Sequence, residues 1–114
     1  MSQQDNYFYG VQSEQLAVEY FEAIGFEVLA RRYKTKLGEI DLVIKKNNQL
    51  VFVEVKARKR KTSTEEILTT RQISRIYSAA EIFLSEFPEY NGFECRFDLC
   101  IIFKNKILDH IKNI

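Results

Sequence analysis

The stretch GEIDLVIKKNNQLVFVEVKAR, residues 38–58, decides the fold. Apolar residues recur at every second position on both sides of Asn47-Asn48, so GEIDLVIKK (38–46) and QLVFVEVKAR (49–58) read as two strands. Asparagine tolerates positive φ, which makes Asn47-Asn48 a two-residue hairpin turn. Residue 46 then faces residue 49, and the numbers of every facing pair sum to 95. Asp41 falls opposite Glu54, and Glu39 opposite Lys56. Facing residues of an antiparallel pair share one face, with Cβ atoms about 4.5–5.5 Å apart. A loop one residue longer or shorter would break this register.

Two adjacent carboxylates repel unless something positive lies between them. A proton, a lysine or a metal ion can fill that place. Carboxylate oxygens are hard ligands that suit Mg²⁺ or Mn²⁺, and Lys56 would then stand close enough to steady a water or a phosphate. The plain alternative is the solvated face of an antiparallel sheet. Glu14 adds weight to the ion. It lies three, four and seven residues before Ala17, Val18 and Phe21, on the apolar stripe of a helix expected over about Val11–Ile24. An acid there costs free energy unless it is paired or ligates a cation; the alternatives are the helix dipole or an outward-reaching side chain.

Working outward, Gly25 is a natural helix stop, and FEVLARRY (26–33) reads as a first strand. A second helix is expected to begin near Ser63-Thr64, with Ser63 and Glu66 at capping-box spacing. Its stripe is Ile73, Ile76, Tyr77, Ala80, Phe83, Leu84 and Phe87, and Pro88 ends it. ECRFDLCIIF (94–103) and the shorter KILDHIKN follow as strands. The order αβββαββ predicts an α/β domain with a mixed central sheet and a helix on each face. At 114 residues the chain is one domain, and 46% hydrophobic and 29% charged residues are ordinary for a globular protein.

No apolar run approaches the ~20 residues of a membrane span. MSQQDNYFYG lacks the basic flank and apolar centre of a secretion signal, so a cytoplasmic protein is expected. Cys95 and Cys100 have no metal-type spacing and read as reduced, small hydrophobes. Net charge is only +1, but the cations cluster. Arg31, Arg32, Lys34 and Lys36 form one patch, and Lys56, Arg58, Lys59, Arg60 and Lys61 another. Local basic strips can bind nucleic acid through one face. His110, the sole histidine, has no partner motif and reads as structural.

GEIDLV followed across the turn by LVFVEVKAR resembles the YraN-like family of small bacterial proteins. The likeness begins with GVQSEQLAVEYFEAIGFEVLARRY (10–33), passes through Arg75, Ile76, Ala80 and Leu84, and ends at RFDLCII (96–102) and His110-Ile111. That family resembles the PD-(D/E)xK nuclease superfamily, which includes archaeal Holliday-junction resolvases and restriction enzymes. The resemblance implies a restriction-endonuclease-like fold forming a single endonuclease-like domain over residues 1–114, with the site on the second and third strands. Asp41 and Glu54 match the metal-binding acids, Lys56 the lysine, and Glu14 the helix glutamate of the resolvase branch. Ile40 stands where a proline would precede the aspartate. Gln72 stands where the family usually carries a lysine.

The implied activity is Mg²⁺- or Mn²⁺-dependent endonucleolytic hydrolysis of DNA leaving a 5′-phosphate. Asp41, Glu54, the main-chain carbonyl of Val55 and Glu14 would serve the metal. Lys56 would orient the water or stabilise phosphorane charge. Arg31, Arg32, Lys34, Arg58, Lys59 and Arg60 would grip the phosphate backbone without reading sequence. Cutting a junction takes two sites, which would favour a homodimer. Two other readings are a non-catalytic nucleic-acid-binding module on the same fold, and an interaction protein working through a partner.

Overall fold

The computed structural model describes residues 3–58 and 68–114, with the side chains of 3–11 and of Leu108 left aside. Helix α1 (Gln3–Ala23) leads into strands β1 (Glu27–Lys34), β2 (Glu39–Lys46) and β3 (Gln49–Arg58). Helix α2 (Thr70–Glu86) and a 3₁₀ turn at Pro88–Tyr90 then precede β4 (Glu94–Phe103) and β5 (Lys106–Ile111). The strands form one five-stranded sheet in the order β1-β2-β3-β4-β5. The first three are antiparallel neighbours, β4 is parallel to β3, and β5 is antiparallel to β4. The parallel step requires a long crossover, and α2 lies within it. The result is the mixed, helix-flanked sheet of the restriction-endonuclease-like fold.

The hairpin register is the expected one. Leu42↔Val53, Val43↔Phe52, Ile44↔Val51, Lys45↔Leu50 and Lys46↔Gln49 all follow the facing rule. Asn47 adopts a φ of 54°, which supplies the turn. Leu42, Ile44, Val51 and Val53 pack beneath α1 with Ala17, Val18 and Phe21. Ile40, Val43, Leu50 and Phe52 pack on the other side with Ile76, Ala79, Ala80 and Phe83 of α2.

One detail breaks the two-residue alternation. Ile40 and Leu42 should share a face, yet Ile40 faces α2 and Leu42 faces α1. The reversal falls at Asp41. Its match on β1 is Arg32, by the register Arg31↔Leu42 and Tyr33↔Ile40. Arg32 has a φ of 50°, a conformation that costs a non-glycine residue about 1–3 kcal/mol. Arg31 accordingly reaches Gln15 on α1, whereas the Tyr33 ring lies 5.2 Å from Phe83 on α2. Both strands thus turn over at one level, and that level is where the acids sit.

The helices correct several expectations. Helix α1 starts well before Val11, and Ile24 does not join its stripe. The helix ends at Ala23, Gly25 takes a φ of 100°, and Ile24 is left 40% exposed in the turn. The Ser63–Glu66 capping box lies outside the described residues. The described start of α2 is capped by Thr69, whose hydroxyl accepts from the Gln72 N–H while the Gln72 side chain accepts from the Thr69 N–H. Along α2, Tyr77 and Phe87 are more exposed than expected, and Ala79 is buried in their place. Cys100 is buried but Cys95 is exposed, because the first residues of β4 stand clear of the core. Removing the cap with Thr69→Ala should lower stability by about 1 kcal/mol, read as the midpoint of a urea melt; an unchanged midpoint would leave the cap without energetic weight.

Candidate metal and phosphate site

The paired residues of β2 and β3 end at Leu42↔Val53. Past this point the Val55 N–H donates to the Asp41 carboxylate at 2.7 Å. Asp41 therefore replaces a main-chain acceptor at the place where the two strands part. Its carboxylate also hydrogen-bonds the Glu54 carboxyl, so the two acids expected to meet do meet. Burial, then the Asp41 hydrogen bond and charge, push the Glu54 carboxyl up to about 9. The Lys56 ammonium, 4.0 Å from Glu54, opposes this only in part. Burial and the Asp41 carboxylate thus favour the protonated form of Glu54 at neutral pH, with the Lys56 ammonium beside it.

Glu14 comes from the opposite side. Its carboxylate is largely buried and accepts from Arg32 Nε at 2.6 Å. Burial raises its pKa, the Arg32 hydrogen bond lowers it, and the negative charge of Asp41 raises it. Glu14 is thus close enough to feel Asp41, but its immediate partner is an arginine. The strained backbone at Arg32 has a local consequence here, since it accompanies a guanidinium aimed at the acid of α1. Among the described residues, no three His, Cys, Asp or Glu side chains converge into a ready metal cluster. Asp41 and Glu54 nonetheless suit a hard divalent cation. They present neighbouring carboxylate oxygens in a mostly buried place, where a divalent ion would offset the charge that burial and proximity disfavour.

Beside these acids is a pocket of about 250 Å³, with Glu39, Glu54 and Lys56 on the sheet and Gln72, Arg75 and Ile76 on α2. Gly38 forms its edge. A Cβ at Gly38 would lie 2.7 Å from the Arg75 carbonyl oxygen, so only glycine lets the β1–β2 loop approach α2 this closely. Gln72 does reach the site, as its place in the family pattern suggested. Arg75 was not foreseen as a site residue. In the sequence it stands only among the residues that carry the family likeness, beside Ile76 of the apolar stripe.

The basic residues divide. Arg31 donates to Gln15 at 2.6 Å, and Arg32 is engaged by Glu14. Lys34 is exposed and lines a separate groove with Thr35, Lys36, Ile82 and Glu86. Arg58 donates to the Ala57 carbonyl at 3.2 Å. Lys59, Arg60 and Lys61 lie outside the described residues. His110 is in a buried network away from the acids: its Nε2 is 2.7 Å from Asp98 Oδ2, and its Nδ1 is 2.9 Å from the Tyr20 hydroxyl. No described helix is long and apolar enough to cross a membrane.

Residues 13–102 match the family model "Uncharacterised protein family UPF0102". A UPF0102 protein of Rhodopseudomonas palustris is 44% identical over 102 residues, covering 90% of this chain and 78% of the relative. One from Bradyrhizobium diazoefficiens is 40% identical over 102 residues, covering 90% and 77%. One from Acinetobacter baylyi is 39% identical over 101 residues, covering 86% and 72%. None of these names carries an activity. With the family model spanning most of the sequence and relatives this similar, the chain belongs to the UPF0102 family, the YraN-like group of the PD-(D/E)xK nuclease superfamily.

Proposed function

We propose that this protein is a divalent-metal-dependent endonuclease that hydrolyses phosphodiester bonds in DNA, selected by structure rather than sequence, in the cytoplasm. The observation that carries the reading is the Asp41–Glu54 pair. A carboxyl pushed up to about 9 by burial first and by its Asp41 neighbour second, with an ammonium 4.0 Å away, is an arrangement in which a hard cation favours the ionised pair. Asp41 and Glu54 would hold Mg²⁺ or Mn²⁺, with the Val55 carbonyl and Glu14 as further oxygens. When bound, the ion supplies positive charge that polarises the phosphate and acidifies a water. The Val55 N–H fixes the Asp41 carboxylate. Lys56 stabilises charge building on the phosphate or orients the water. Arg75 and Gln72 form the far wall against which the strand would lie.

A specific observation also supports the non-catalytic binding module: Glu14, which would complete the ligand set, is engaged by Arg32. One experiment separates the two. Labelled duplex, single-stranded and four-way-junction DNA, and an RNA duplex, are incubated with Mg²⁺ or Mn²⁺, alongside gel shifts in EDTA. The expected result is divalent-dependent cutting with 5′-phosphate ends and binding that weakens with added salt. Binding without cutting on every substrate would establish the binding module instead. Neither binding nor cutting would remove nucleic acid as the partner. Preference for junctions together with a dimer in solution would complete the resolvase-like version.

A further inference from the structure

At the turn end of the hairpin, on the α1 side of the sheet, lies a second pocket of about 320 Å³. Lys46, Arg96, Lys112 and His110 line it, with Phe26 and Ile24 as apolar surface. Among the described residues, no carboxylate lines it. Asp98, which Arg96 and His110 contact, is fully buried beneath and already satisfied. It accepts from Arg96 Nε at 2.9 Å, Arg96 Nη2 at 3.0 Å, His110 Nε2 at 2.7 Å and the Asn113 N–H at 3.1 Å.

This arrangement fixes a guanidinium in place without consuming it. Arg96 carries five N–H donors, of which two go to Asp98. The other three lie on a side chain whose orientation is already settled, so little entropy is lost when a ligand accepts from them. Lys46 is held in the same way: its ammonium donates one hydrogen to the Ile24 carbonyl at 2.8 Å and sits 5.5 Å over the Phe26 ring. Lys112 is exposed at the rim. Three cations from three different strands or strand ends therefore converge, with no lining anion among the described residues. Planar forks and ammonium groups together recognise phosphate oxygens, and several cations suit a group of more than one negative charge.

We propose that this pocket binds a phosphate group, carried either by a free nucleotide or by a nucleic-acid strand. The pocket stands at the opposite end of β3 from Glu54 and Lys56 and on the opposite side of the sheet, so it is separate from the metal site. The inference is independent of whether that site cuts.

The test uses the full chain in phosphate-free buffer with EDTA, which keeps the metal site out of the readout. Adenosine 5′-monophosphate, adenosine and a short single-stranded oligonucleotide are titrated while backbone amide NMR shifts are followed. The expected result is saturable change centred on Asn47, Gln49 and Lys112 with the phosphate-bearing probes, and none with adenosine. Saturation by the mononucleotide identifies a nucleotide site; saturation by the oligonucleotide alone identifies a strand contact. Lys112→Glu should weaken binding about tenfold, near the worth of one charge-assisted hydrogen bond. Arg96→Lys keeps a cation for Asp98, guarding the fold, and should weaken it similarly. Shifts centred on Glu54 and Lys56, no saturable shift with either phosphate probe, or undiminished binding in both pocket variants would overturn the proposal.

Discussion

Lys56→Ala is expected to lower divalent-dependent cleavage by at least about a hundredfold, the usual cost of removing one preorganised charge from a site of phosphate or oxyanion chemistry. The fold should survive. The Lys56 side chain is partly exposed, and its ion pair among the described residues is a 4.0 Å approach to Glu54. A contact of that length and exposure contributes within about 1 kcal/mol. The variant also loses the one group that pulls the Glu54 carboxyl down. Any residual activity should therefore need a higher pH than the wild type. The measurement is a rate–pH profile on the best substrate of the panel, with a thermal melt of the same preparation. Wild-type rates across the profile would remove Lys56 from the chemistry.

Glu54→Gln should make the metal-free protein more stable at pH 8, although it deletes a site residue. In the folded chain the Glu54 carboxyl is pushed up to about 9, against an ordinary value of 4.5. Between those values the folded state holds a proton that the unfolded state has released. Stability of the wild type therefore falls as pH rises through this window, and is fully retained only below its lower edge. Glutamine imitates the protonated form and can still donate to Asp41, so the variant escapes the loss. The gain at pH 8 should be on the order of 2 kcal/mol, below the ceiling of about 5 kcal/mol that linkage sets, at ~1.4 kcal/mol per pKa unit, between the ordinary value and pH 8. This corresponds to a melting temperature higher by roughly 8–16 °C, and the two proteins should converge near pH 4.5. Mn²⁺ should raise the wild-type melting temperature at pH 8 and leave the variant nearly unmoved. Parallel stability–pH curves would show that Asp41 and Glu54 do not share a proton, and an equal Mn²⁺ response would take Glu54 out of the ligand set.

The hairpin was legible because two local facts suffice for it. A period of two assigns faces, and an asparagine turn assigns register. The same logic brought Asp41 to Glu54 and found the helix acid Glu14. It failed where a choice depends on several elements at once. Ile24 has the right spacing for the α1 stripe, but the helix closes one residue earlier to let Gly25 turn the chain. Cys95 looks like Cys100 in sequence, yet only Cys100 lies deep enough along β4 to be covered. Gln72 has two roles: its place in the family pattern pointed to the pocket wall, whereas its capping box with Thr69 went unforeseen.

Residue type and spacing alone determined the element order, the pairing of β2 with β3 and the meeting of two carboxylates, since each rests on contacts between neighbours in the chain or across one turn. Only the assembled protein decided that Asp41 and Arg32 reverse their strands together, that Arg32 engages Glu14, and that Arg75 and Gly38 complete the pocket. Those outcomes depend on two helices pressing on opposite faces of one sheet. Side-chain alternation must then give way at the level where both layers claim the same strand, and no local pattern records such a conflict.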